Sequence, residues 1–174
     1  MVELDGHAAV GRPVALVHEP SRRYPTTQPA RAGAGLTDGL HGSWRFADGR
    51  WAGWEGTDLI ATVDLGEATE LREVSIRFYQ DANAWIFLPL TVRCEVSPDG
   101  RVWRAAGEQT ADVPATAQDR LVRTFAFRPG PPAARFVRLA ATSRRTCPDW
   151  HLGSGQPCWL FADELVCRTG ATTR

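Results

Sequence analysis

The amino-acid sequence predicts an all-β fold, a jelly-roll β-sandwich of about eight antiparallel strands, on three observations. Apolar residues recur with period two almost throughout, as they do in a strand with one buried face. No stretch sustains the 3.6-residue period of an amphipathic helix. Asp-Gly pairs stand between the alternating runs, at Asp38-Gly39, Asp48-Gly49 and Asp99-Gly100, where the chain is expected to reverse with positive φ at both turn residues. Closing short strands into two packed sheets limits the exposed edges that such a chain otherwise leaves.

The strands follow in order. Val14 to His18 is the first and Leu59 to Leu65 the second. Val74, Ile76 and Phe78 then alternate with Ser75 and Arg77, and Leu90, Val92, Cys94 and Val96 alternate with Thr91, Arg93 and Glu95. Ser97-Pro98-Asp99-Gly100 reads as a hairpin turn into Val102–Ala106. Leu121–Phe127 is followed by a tight break at Pro129–Pro132, after which Val137, Leu139 and Ala141 alternate again and Trp159–Arg168 closes the set. Two connections, Thr26–Arg50 and Arg144–Pro157, are longer than compact β domains usually carry, and long loops are where function concentrates.

The 174 residues suffice for one domain, read as spanning 1–174 with a core from about 10 to 168. The formal net charge is zero, which argues against nucleic acid as a partner because polyanion binding needs a cationic surface. No run approaches the ~20 apolar residues that cross a bilayer, so membrane contact is not expected. Met1 to Pro13 has neither a basic leader nor an apolar stretch, which suits a cytosolic chain or a segment of a longer exported one.

Seven tryptophans are the most unusual feature of the composition, and six of them fall in or beside predicted loops. Trp44, Trp51 and Trp54 share one region, Trp85 follows the strand ending near Tyr79, and Trp150 and Trp159 bracket another loop; Trp103 lies in a plain hairpin strand. Most such indoles serve as core or loop anchors, but an uncovered one offers a flat face that stacks on a pyranose ring. Groups able to orient sugar hydroxyls stand nearby, which makes Arg50, Trp51, Trp54, Asn83, Trp85, Asp149, Trp150 and His151 the candidate ligand-binding residues.

Several motifs resemble the discoidin, or coagulation factor five/eight type C, superfamily: Leu36-Thr37-Asp38-Gly39-Leu40-His41-Gly42-Ser43, Trp51-Ala52-Gly53-Trp54 and Val63-Asp64-Leu65-Gly66. More narrowly, Trp85-Ile86-Phe87-Leu88-Pro89, Ser97-Pro98-Asp99-Gly100, Arg135-Phe136-Val137-Arg138, Trp150-His151 and Trp159-Leu160-Phe161-Ala162-Asp163-Glu164 resemble the C-terminal module of bacterial β-N-acetylhexosaminidases. The resemblance runs from about Val10 to Cys167 and implies a galactose-binding-like sandwich that recognises glycans containing N-acetylhexosamine or galactose. It implies a catalytic domain in the same polypeptide as partner, and an extracellular, periplasmic or cell-surface location. It also implies a structural Ca2+ held by Asp38 and Glu164, with Ser43 as a further ligand in a stretch that departs from the superfamily's usual Asn-x-x-Thr-x-Trp. A carboxylate pair with a hydroxyl suits calcium, which takes six to eight oxygens.

The four cysteines are Cys94, Cys147, Cys158 and Cys167. A disulfide between Cys147 and Cys158 is expected, clamping the base of the loop that carries Trp150 and stabilising it by about 2–3 kcal/mol. Cys94 reads as a small buried apolar residue, with a bond to Cys167 as the alternative. Cys147, His151 and Cys158 lack a clear fourth ligand for zinc. No nucleophile or phosphate-binding motif is present, and Asp149, His151 and Ser154 are loop neighbours rather than a relay. Asp48, Glu55 and Asp58 give no sign of the paired, perturbed carboxylates that glycoside hydrolysis needs. The expected function is a non-catalytic carbohydrate-binding accessory module of a glycoside hydrolase, ahead of a purely structural module and of a phospholipid- or cell-surface-binding one.

Overall fold

A computed structural model describes residues 6–25 and 34–170. Of the regions read above, residues 1–5 and 171–174 of the single domain and residues 26–33 of the long connection lie outside the described residues.

Among the described residues nine strands, where the alternation predicts about eight, form two antiparallel sheets: β1 (Val14–Leu16), β2 (Ala52–Glu55), β3 (Leu59–Thr69), β4 (Leu71–Gln80), β5 (Thr91–Ser97), β6 (Arg104–Thr110), β7 (Leu121–Phe127), β8 (Ala134–Thr142) and β9 (Trp159–Thr169). One sheet runs β1-β3-β8-β5-β6 and the other β2-β9-β4-β7. In β3, Leu59, Ala61, Val63 and Leu65 point inward with partly exposed residues between them; β5 does the same with Val92, Cys94 and Val96. These side chains meet Leu160, Ala162, Leu165 and Cys167 of β9 in the main core.

Three local expectations are corrected. Strand β2 was not foreseen: Ala-Gly-Trp-Glu has no alternation because three of its residues are buried beside β9. The hairpin strand begins at Arg104 rather than Val102, since the Asp99 carboxylate first accepts the N–H groups of Arg101 and Val102 and holds them in the turn. In all three Asp-Gly pairs the glycine alone takes positive φ, at 77°, 84° and 73°, while the aspartate works through its side chain.

Strand β9 is buried from Trp159 to Cys167, on both faces. The face turned away from the main core carries Trp159 and Phe161, which pack with Trp51, Tyr79 and Ile86 into a second, aromatic core under Tyr24 and Phe46. Between the pairs Ile76–Leu165 and Phe78–Ala162 the register slips by one residue, so inward side chains change from even to odd positions along β9. Asp163 and Glu164 occupy that bulge, both fully buried.

Candidate functional site

Three connections converge at the end of the sandwich where β4 stops and β9 starts: residues 81–90, 111–120 and 143–158. The first is a tight tip. Asp81 and Ile86 exchange backbone hydrogen bonds at 3.0 and 3.1 Å, and Trp85 between them has φ of 64°. A left-handed backbone is costly for a bulky residue and persists only where its surroundings enforce it. Here Trp159 N–H donates to Trp85 O and Phe87 N–H to Trp159 O, fixing the tip to β9.

The 111–120 connection is held on this tip by Gln80, whose amide donates to Ala117 O and Asp119 O, and by Arg120, paired with the buried Asp81 at 3.0 Å. The third loop closes on itself through Cys147 N–H to Gln156 O, Cys158 N–H to Arg145 O and Gly155 N–H to Cys147 O. Its Trp150 indole N–H reaches across to Ala115 O at 3.2 Å.

Between the three loops lies an open hollow of about 160 Å3, lined by Ala82, Asn83, Trp85, Gln118, Trp150, His151 and Leu152. Trp85 and Trp150 are half-buried. The amides of Asn83 and Gln118 make no hydrogen bond among the described residues, so both retain donors and acceptors for a ligand. Leu152, 99% exposed, stands at the rim.

His151 organises this hollow rather than reading what enters it. Its Nδ1 accepts the Gly153 N–H at 3.0 Å, so the proton sits on Nε2, which donates to Ala82 O at 2.8 Å. With both nitrogens occupied, its ring meets Trp85, Phe87 and Trp150 edge-to-face at 5.4–5.7 Å between centroids. Gly153 in turn lies flat on the Trp85 ring: a Cβ there would come within 2.7 Å of it.

The structure thus brings Asn83, Trp85, Trp150 and His151 together and separates the other candidates from them. Trp51 and Trp54 are each 1% exposed and cannot act as open platforms. Trp51 donates to Ser43 O beneath the Arg77 guanidinium, and Trp54 donates to His18 O inside the main core. Trp159 is buried as well. Arg50 is anchored on His41 O in the 40–50 region, away from the hollow. Asp149 is exposed on the third loop but does not line the hollow. Gln118 was missed; nothing in its neighbourhood of sequence marks it, and the Gln80, Arg120 and Trp150 ties to the 111–120 connection bring it to the indoles.

The expected Cys147–Cys158 disulfide is not formed; all four cysteines are free and buried. The two thiols instead pack with Ala82 and Phe87 under the hollow, and backbone hydrogen bonds supply the clamp. Burial, then neighbouring Cys147, pushes the Cys158 thiol up to about 12.

A second polar centre sits further along β9, at the bulge. Glu164 Oε1 accepts Gly39 N–H at 2.9 Å and His7 Nε2–H at 2.8 Å; His7 Nδ1 accepts from Ala9 N–H, which sets that tautomer. Glu164 Oε2 is buried without a hydrogen-bond partner. Asp38 adjoins it, and burial, with the Glu164 carboxylate adding and the Leu40 N–H opposing, raises the Asp38 pKa to about 6. Two carboxylates held together around an unpartnered oxygen fit a hard cation. Ser43 is not part of this centre: its carbonyl serves Trp51, its hydroxyl accepts from Arg45 and its N–H donates to Asp48. Among the described residues no group of three or more His, Cys, Asp or Glu side chains is placed to hold a metal, so a cation at Asp38 and Glu164 would draw most of its shell from carbonyls and water.

This two-layer antiparallel sandwich is a fold shared with solved glycan-binding modules. The chain belongs to the F5/8 type C domain family, whose model matches residues 24–155. Its fold is similar to CpGH89CBM32-6 of Clostridium perfringens (TM-score 0.54, 14% identity, covering 95% of this chain and 100% of that one). It is also similar to CpGH89CBM32-4 of Clostridium perfringens in complex with glcNAc-alpha-1,4-galactose (0.56, 11%, 95% and 94%), and to the C-terminal domain of a chitobiase from Bacteroides fragilis (0.52, 14%, 90% and 93%). The comparison with curated proteins finds no match. No helix among the described residues is long and apolar enough to cross a membrane.

Proposed function

We propose that the protein is a non-catalytic glycan-binding module that holds a sugar in the hollow between Trp85 and Trp150. The observation that carries this reading is the juxtaposition of two half-open indoles with the unengaged amides of Asn83 and Gln118 in about 160 Å3, a space suited to a single pyranose. Indole faces take the apolar C–H surface of the ring while the amides pair with its hydroxyls. The Trp85 backbone and the His151 bonds hold this arrangement before ligand arrives, which lowers the ordering cost of binding. The complex of CpGH89CBM32-4 with glcNAc-alpha-1,4-galactose supports a glycan containing N-acetylhexosamine or galactose as the ligand class.

A shallow site of this size gives weak affinity, and its use is to raise the local concentration of glycan around an attached domain. The chitobiase neighbour and the tryptophan motifs support a β-N-acetylhexosaminidase-like glycoside hydrolase as that partner, acting outside the cell or at its surface. Structural Ca2+ at Asp38 and Glu164 completes the reading; the ion would neutralise two adjacent carboxylates and tie the 37–43 turn to β9.

Titration of tryptophan fluorescence with N-acetylglucosamine, galactose and chitin oligomers tests the site. At least one sugar is expected to bind, with Trp85→Ala and Trp150→Ala each weakening it by about tenfold or more and Trp44→Ala leaving it unchanged. Absence of binding to all of them by the folded protein, or binding that depends on Trp44 alone, would overturn it.

A further inference from the structure

We propose that Arg144 forms an anion-reading subsite beside the Trp85–Trp150 hollow, so that the module favours glycans bearing a carboxylate or sulfate over their neutral counterparts. This rests on the glycan reading above and names the class of glycan.

Behind the Trp150–Ala115 hydrogen bond lies a second hollow of about 140 Å3. Phe87, Pro89, Val113, Pro114 and Ala115 give it apolar walls, and Phe87 also touches the Trp150 ring, so the two hollows share one partition. Two polar side chains line it. Gln80 is committed to Ala117 O, Asp119 O and the Leu88 N–H. The Arg144 side chain makes no hydrogen bond or ion pair among the described residues, and its Nε is buried without a hydrogen-bond partner. Its sequence neighbour shows the contrast, since Arg145 is paired with Asp58 at 2.7 Å. Arg77, Arg93, Arg120, Arg123, Arg135 and Arg138 are likewise each paired with a carboxylate.

A guanidinium partly withdrawn from water with a donor unfilled is unfavourable until an acceptor arrives. Among the described residues no acidic side chain lines the hollow, which leaves the guanidinium for an acceptor carried by a ligand. The Phe87 ring lies 6.0 Å from the Arg144 Cζ, at the outer reach of a cation–π contact. The Nη groups, which make no hydrogen bond among the described residues, are the donors left to meet an oxyanion at the hollow. A sugar stacked on Trp150 needs only a substituent, or its next residue, to pass Ala115 and reach them. Arg145, next in the chain, has φ of 65° and is paired with Asp58, which fixes the backbone beside Arg144.

The test compares probes that share N-acetylglucosamine: neutral N,N′-diacetylchitobiose, a hyaluronan tetrasaccharide carrying glucuronate, and 6-sulfated N-acetylglucosamine, each titrated calorimetrically at low and high salt. An oxyanion-bearing probe is expected to bind about tenfold tighter than the neutral one at low salt, with the advantage shrinking as salt rises. Arg144→Gln should erase that advantage while leaving neutral binding and the melting temperature unchanged, and Arg144→Lys should retain part of it. The glucuronate and sulfate arms show which oxyanion is preferred. Equal binding of acidic and neutral probes, or a preference that survives Arg144→Gln, would overturn the subsite and leave the glycan reading standing. Failure of every probe to bind would overturn both.

Discussion

The ring of Trp85 owes its position to Gly153 and His151. Gly153 lies on it without a Cβ, and His151 holds Gly153 N–H on one side and Ala82 O on the other. Gly153→Val is therefore expected to push the indole out of place and lower glycan affinity about tenfold, with a smaller effect on melting temperature. Calorimetric titration alongside thermal melting separates the two. His151→Phe keeps the ring but removes both hydrogen bonds, and should cost roughly 1–2 kcal/mol of stability, read by urea denaturation. The tryptophan positions were legible in the sequence as a cluster, but their exposure was not. Trp51 is sealed by Tyr79 and Arg77, which lie far along the chain, while Trp85 is kept half-open by a backbone conformation that no propensity predicts. Sequence neighbours suggest His151 as a sugar contact; its ring nitrogens bond Gly153 of its own loop and Ala82 of the 81–90 tip, partners the sequence does not reveal.

Strand β9 links the two polar centres. Its first residues hold the Trp85 tip, and its bulge lays Asp163 and Glu164 against the 37–43 turn. Asp163 accepts Gly42 N–H at 2.8 Å and faces Arg77 at 3.3 Å, and Gly42 presses on Trp51 so closely that a Cβ would come within 2.2 Å of the indole nitrogen. Gly42→Ala is expected to destabilise the fold by about 2 kcal/mol or more, measured by urea denaturation, because neither the turn nor the buried indole has room to retreat. The long alternating strands β3 and β5 were plain in the sequence because each buries one face. Strand β2 was not, since four residues containing glycine carry no period, and its pairing with β9 is decided by distant partners. The bulge was equally invisible: Trp159–Arg168 reads as one strand, and nothing in the sequence marks the register slip at Asp163 and Glu164.

Across the whole molecule, charge governs stability more through a few buried or bidentate groups than through the zero net balance. Arg135 grips Asp64 with two bonds of 2.8 Å and, as the main cause, lowers the Asp64 pKa to about 2. A depressed folded-state pKa contributes stability above the unfolded value near ~4, lost as pH falls through about 2. The melting-temperature difference between the protein and Arg135→Ala should accordingly be full at pH 5 and above and close by about pH 2. The proposed Ca2+ would act on the same balance at the β9 bulge: saturating Ca2+ at ~100 times its Kd should stabilise by about 2.7 kcal/mol, seen as a rise in melting temperature of roughly 5–10 °C. Asp38→Asn should abolish that rise, and Ser43→Ala should not; no response to Ca2+ in the unaltered protein would remove the metal from the account. The central claim is that glycan lies between Trp85 and Trp150, and the indole N–H signals in a heteronuclear NMR titration report on it residue by residue. Addition of N,N′-diacetylchitobiose is predicted to shift the Trp85 and Trp150 signals and leave those of Trp44, Trp51, Trp54 and Trp159 in place. Shifts confined to Trp44, or none at saturating glycan from any source, would contradict it.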